Sequence, residues 1–220
     1  MIMKKITGIC FGILLSAMAV SSQAYGQMSS TAGTYKHANW FMTVGGGAQV
    51  YWAENYSTGN FGNRITPDIE VAVGKWFTHV WGARIQYDGY KMKGFTSLDN
   101  PYATGGRTPK GGYQQQFSYL NLHFDILFNL NSAICPYSRR VYELIPYLGA
   151  GYARAYKKDE PSFNSYSFNG GLINRFRVSR AIDLNLTLKA MIVNQGFDQQ
   201  KGGISLEGST GITAGFTVKF

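Results

Sequence analysis

The chain has 220 residues, with 21 Lys+Arg against 12 Asp+Glu and a formal net charge of +9. That length suits one domain and is ample to close a sheet around an interior, while 45% hydrophobic and 15% aromatic content is the opposite of a disordered composition. The one long apolar run, 6–20, falls short of the about 20 residues that a spanning helix needs, which excludes a polytopic helical membrane protein, and 27 glycines with few charges favour β structure.

Lys4 and Lys5 precede the apolar run, and the small-residue patterns Ser22-Gln23-Ala24 and Ala24-Tyr25-Gly26 follow it. This order predicts a secretory signal peptide over 1–24, cleaved after Ala24 or Gly26, with a short N-terminal segment, 25–38, ahead of the folded part. Cys10 leaves with the signal. Cys135 is then the single cysteine of the mature chain, so no internal disulfide is expected and periodicity must explain what holds the molecule together.

From Asn39 onward apolar residues recur at every second position, the period of a strand with one apolar face. Eight such segments are predicted, at 39–52, 66–77, 80–94, 113–130, 141–156, 163–179, 181–195 and 208–220. In the seventh, Ile182, Leu184, Leu186, Leu188, Ala190 and Ile192 share one face, opposite Asp183, Asn185, Thr187, Lys189 and Met191. The phase of 141–156 reads either way, and Asn174 falls on the apolar side of its strand. Long polar connections at 53–65, 95–112 and 196–207 alternate with tight turns near Thr78-His79 and Ser179-Arg180. Long loops on one rim and short turns on the other are the pattern of a transmembrane barrel.

The polar faces carry compensating charges, Glu70, Asp88, Asp125 and Asp183 against Arg84, Arg175, Arg177 and Lys189, whereas the apolar faces are nearly free of charge. A water-facing outer surface would be dense in lysine and glutamate. The reading is therefore lipid outside and a paired charge network inside, joined by His123. The fold class is all-β, an eight-stranded antiparallel up-and-down transmembrane β-barrel over 39–220. Aromatics at strand ends, among them Trp40, Phe41, Trp76, Phe77 and Trp81 on one rim and Trp52, Tyr90, Tyr113 and Tyr156 on the other, are expected to form two interfacial belts.

The last segment reads Thr213-Ala214-Gly215-Phe216-Thr217-Val218-Lys219-Phe220. It resembles the C-terminal β-signal of bacterial outer-membrane proteins, with Thr213, Gly215, Val218 and Phe220 at the pattern positions, and the resemblance implies the barrel-assembly machinery as a partner. The whole region from Gly45-Gly46-Gly47 through the 145–152 segment to Phe220 resembles the small OmpA-type barrels. Members of that family often add a peptidoglycan-binding domain. None follows here, so cell-wall anchoring is not expected.

An eight-stranded interior is just wide enough for side chains to fill it, which predicts a plugged lumen. The expected function is a structural, envelope-integrity outer-membrane protein with surface loops for contacts; the alternatives are a narrow channel for small solutes and, third, a lipid A-modifying barrel enzyme. His123 and Asp125 face the same way, but no serine stands at matching spacing, so no catalytic residue is assigned and no enzyme activity is expected. No metal or other cofactor is expected, since no Cys/His cluster exists. Lys91, Lys93, Lys157, Lys158 and Lys201 map near the long-loop rim, where lipopolysaccharide phosphates would meet them. Nucleic acid is not an expected partner of an exported chain.

Overall fold

The computed structural model describes residues 40–52, 61–96, 101–107, 112–135, 140–194, 197 and 206–220. The expected signal peptide and the 25–38 segment lie outside them. Among these residues nine strands form: β1 (Trp40–Trp52), β2 (Ile65–Trp76), β3 (Trp81–Thr96), β4 (Ala103–Arg107), β5 (Tyr113–Phe128), β6 (Tyr142–Tyr156), β7 (Phe163–Arg177), β8 (Ile182–Asn194) and β9 (Leu206–Lys219). Eight of them close a ring in which every neighbour is antiparallel, and β4 is an added short strand on the long-loop side that pairs only with β5.

Two pairings close the ring. β1 pairs with β9 from Phe41 opposite Lys219 to Trp52 opposite Gly208, and β3 pairs with β5 from Trp81 opposite Phe128 to Thr96 opposite Tyr113. Every barrel strand therefore has two partners, and no open edge is presented to lipid, where an unpaired backbone group has no water to bond.

The short turns are built by side-chain hydroxyls. Thr78 Oγ1 accepts from the backbone N–H of Val80 (3.2 Å) and Trp81 (2.9 Å), and Ser179 Oγ accepts from those of Ala181 (3.2 Å) and Ile182 (2.9 Å). The third connection on that rim is longer because it holds a helix, α1 (Leu130–Ile134). Asn129 caps it by accepting from Ser132 N (2.9 Å), and Asn131 Oδ1 ties it to the start of β6 through Leu144 N (2.6 Å).

The alternation expected from sequence is observed. Val44, Ile69, Val73, Ile85, Leu122 and Phe124 are among the outward, exposed side chains, while Asp68, Glu70, Arg84, Gln86, Asp125 and Asp183 are buried inside. In β6 the inward set is the odd one, Glu143, Ile145 and Tyr147, and Leu148 and Tyr152 face out. Asn174 points outward with both ends of its amide bonded, accepting from the Tyr142 hydroxyl (2.7 Å) and donating to the Leu186 carbonyl (3.2 Å).

The aromatic belts need a correction. Trp40, Trp81 and Phe128 lie on the outer face, with Trp81 and Phe128 packed at 4.8 Å, but Phe41 and Trp76 turn inward and pack against each other in the lumen. Both stand at inward positions of their strands, and at that end the interior is apolar. Most of the described glycines lie within strands, and several of them, Gly45, Gly149 and Gly151 included, clear space for lumen groups.

Candidate functional site: the filled lumen

The interior is stacked in layers. At its centre β2, β3, β5 and β8 bring Asp68, Glu70, Arg84, Asp88, His123, Asp125 and Lys189 together. The Lys189 ammonium is shared by Asp68, Glu70 (3.3 Å) and Asp88 (2.8 Å). The His123 imidazole bridges two carboxylates, Nδ1 to Asp125 at 2.6 Å and Nε2 to Asp88 at 2.8 Å. Arg84 Nε donates to Asp125 (2.8 Å), and its guanidinium lies 4.4 Å from the centre of the Tyr147 ring.

Neutral groups complete this cluster. Tyr119 donates to Asp68 (2.7 Å), Thr213 to Glu70 (2.8 Å), and an amide and hydroxyl chain runs from Asn169 to Ser167 to Asn121. Buried charges persist only when paired and hydrogen-bonded in this way. Room for them comes from glycine. A Cβ on Gly149 would collide with Asp125, one on Gly151 with His123, and one on Gly45 would come within 2.8 Å of Glu70 Oε1.

Apolar layers lie on both sides. Toward the long-loop rim, Tyr51, Met92, Tyr102, Phe117, Met191 and Phe197 form a buried cluster. Tyr102 stacks on Phe117 at 5.0 Å and donates to the carbonyls of Ala155 (3.2 Å) and Pro161 (3.1 Å), so the segment carrying β4 folds over the opening. Toward the short-turn rim, Phe41, Trp76, Leu127, Ile145, Tyr147 and Ile173 form a second cluster. Small cavities remain among the described lumen residues, two of them near the centre. One is lined by Asp88, Asn121 and Lys189, the other by Thr43, Arg175 and Thr217, and Tyr147 lines the first while Arg84 lines the second, so their stacked pair stands between them.

Beside the second apolar cluster, toward the rim, is a separate ion cluster. Arg175 pairs with Glu143 and approaches Asp183 at 3.8 Å, Arg177 reaches Glu143 at 3.5 Å, and Lys219 pairs with Asp183 at 2.8 Å. The guanidinium of Arg175 also lies 5.0 Å from the Trp76 ring centre. The expected single network of nine groups is therefore two networks: Glu70, Arg84, Asp88, His123, Asp125 and Lys189 meet at the centre, and Arg175, Arg177 and Asp183 meet near the rim. Between them the second apolar cluster fills one side of the lumen, while Thr43, Asn185 and Thr217 form a hydrogen-bonded polar group on the other.

Three charged members were not singled out from sequence. Asp68 shares the even positions of β2 with Glu70, and that alternation was its signal. Glu143 lies in the strand whose phase was ambiguous, and Lys219 lies within the terminal motif. Of that motif, Thr213 and Gly215 face inward, and a Cβ on Gly215 would meet the Val44 carbonyl at 2.6 Å, whereas Val218 and Phe220 are exposed on the outside. Among the rim lysines, Lys91 and Lys93 are half-buried and Lys158 is exposed. Lys157 donates to the Pro101 (2.8 Å) and Ala103 (3.1 Å) carbonyls and so fastens the β4 segment; Lys201 lies outside the described residues.

No family model matches the chain. It is 25% identical over 175 residues to Outer membrane protein 40 of Porphyromonas gingivalis, a match covering 75% of this chain and 43% of that protein. The chain thus spans less than half the length of this curated relative. Among solved structures it is similar to Neisserial surface protein A, with a TM-score of 0.53 and 12% identity over 84% of this chain and 100% of that one. It is also similar to the outer membrane protein OprG from Pseudomonas aeruginosa, with a TM-score of 0.50 and 11% identity over 84% of this chain and 97% of that one. A closed eight-stranded ring with an apolar outer wall, seen together with these likenesses, makes this chain a bacterial outer-membrane protein with the fold of the small eight-stranded barrels.

Proposed function

We propose that the barrel is a closed structural element of the outer membrane, contributing to envelope integrity and offering its loops for contacts outside the cell. The observation that carries this reading is the stacking of the lumen, a central ion cluster held between two apolar layers. A hydrated path would have to cross the long-loop cluster and the Arg84–Tyr147 stack. A narrow channel would instead keep a polar track from rim to rim.

The geometry also favours a structural His123. Its ring is 2% exposed and both nitrogens are engaged by carboxylates, so neither is free to take a proton from a nucleophile. Single-channel recording in planar bilayers tests the proposal. The expected trace shows no stable conductance, and a large, always-open current would overturn it.

A further inference from the structure

The outer wall below the long-loop rim carries cations that the lumen does not explain. Arg154 stands between Ala153 and Ala155, both fully buried inside, and is itself exposed, so it faces outward from β6. Register places it in one row with Leu120 of β5 and Gly89 of β3. One row nearer the rim are Lys91, Ser118 and Tyr156. Neighbouring strands lie about 4.8 Å apart and a strand rises about 3.4 Å per residue, so the backbones of Lys91 and Arg154, two strands and two residues apart, are separated by about 12 Å. Ser118 and Leu120 stand between the two on β5, and the Tyr87 hydroxyl lies over Gly89, 3.0 Å from where its Cβ would be.

The cations are available. Among the described residues Arg154 donates to the Ser162 hydroxyl (3.0 Å), the Lys91 ammonium lies 5.4 Å from the Tyr90 ring centre, and neither forms an ion pair. One row further from the rim, Tyr87, Tyr152 and Tyr166 all face outward, and beneath them the wall is apolar, with Ile85, Phe124 and Phe168 exposed. Reading from rim to mid-wall, the surface runs cation, phenol, hydrocarbon. A cation on the lipid face is tolerated at the interface and is stabilised there by an anion.

We propose that Arg154 and Lys91 form an outer-wall site for the phosphate of an outer-leaflet lipid, with its acyl chains on the apolar wall and its polar edge against the tyrosine row. A soluble anion would match the two cations alone. The order of the three bands matches an amphiphile, and the guanidinium fork suits a phosphate. The proposal is independent of whether the lumen conducts.

The test uses the full chain in detergent, titrated with diphosphorylated lipid A and with the same lipid stripped of phosphate, and read by native mass spectrometry. Heat-modifiable gel migration shows that each variant is folded. The expected result is retention of the phosphorylated lipid better by about tenfold, lost in a Lys91→Gln, Arg154→Gln double variant and kept in Lys158→Gln. Equal retention of the two lipids by the unaltered chain would overturn the proposal, as would an unchanged preference in the double variant. Displacement of the lipid by millimolar inorganic phosphate would overturn its assignment to a lipid.

Discussion

The two ion clusters of the lumen use the same side-chain chemistry in different surroundings. The central one lies between apolar layers, with Asp125 and Glu70 almost fully buried, whereas the one near the short-turn rim opens outward, and the Arg177 side chain is 27% exposed. Charge–charge interaction strengthens and unpaired charge becomes more costly as water is excluded. The same Arg–carboxylate pair should therefore weigh more at Arg84–Asp125 than at Arg175–Glu143.

Lys189→Ala should have the largest effect, because it leaves Asp68, Glu70 and Asp88 facing one another without their common cation. Breaking such a buried set costs about 3–5 kcal/mol, read as a lower denaturant midpoint in equilibrium unfolding from lipid vesicles. Gly149→Val comes next: even the first added carbon meets Asp125, and overpacking of about 1–3 kcal/mol is expected, read as partial loss of the heat-modifiable gel shift. At the rim cluster, Glu143→Gln should cost about 1–2 kcal/mol, since water reaches Arg177 and replaces part of the lost pairing. Double-mutant cycles on the two Arg–carboxylate pairs would sharpen the contrast directly, and equal coupling energies would break it. The smallest effect is expected on the outer wall, where Val44→Leu exchanges one lipid-facing apolar group for another and should stay within about 0.5 kcal/mol.

The strands were legible because the barrel imposes one rule on every residue. Over the middle of β5 and the first half of β8 the outward Leu122, Phe124, Leu184 and Leu186 meet hydrocarbon and the inward Asn121, His123, Asp125, Asp183, Asn185 and Thr187 are buried in the lumen, so period two is plain there. The rule fails where the interior is apolar. Phe41 and Trp76 looked like belt residues because at a strand end an aromatic in the lumen and one at the interface have the same composition. In β6 the inward Ile145 and Tyr147 and the outward Leu148 and Tyr152 are both apolar, and alternation vanished with the contrast. The closure of the long-loop end by Tyr102 and Phe197 was invisible for a further reason: both come from connections whose path has no period.

The sequence by itself determined the strand count of the ring, the inside and outside of most strands, and most of the charges that enter the lumen, because these depend on alternation within single segments. Only the tertiary structure decided which charges meet. Lys189 and Glu70 are 119 positions apart, and their contact follows from ring closure and from the tilt that brings β8 across from β2. The same closure divided one expected network into two. Pairing across a barrel is fixed by the relative register of strands that are not neighbours, and no single segment records it.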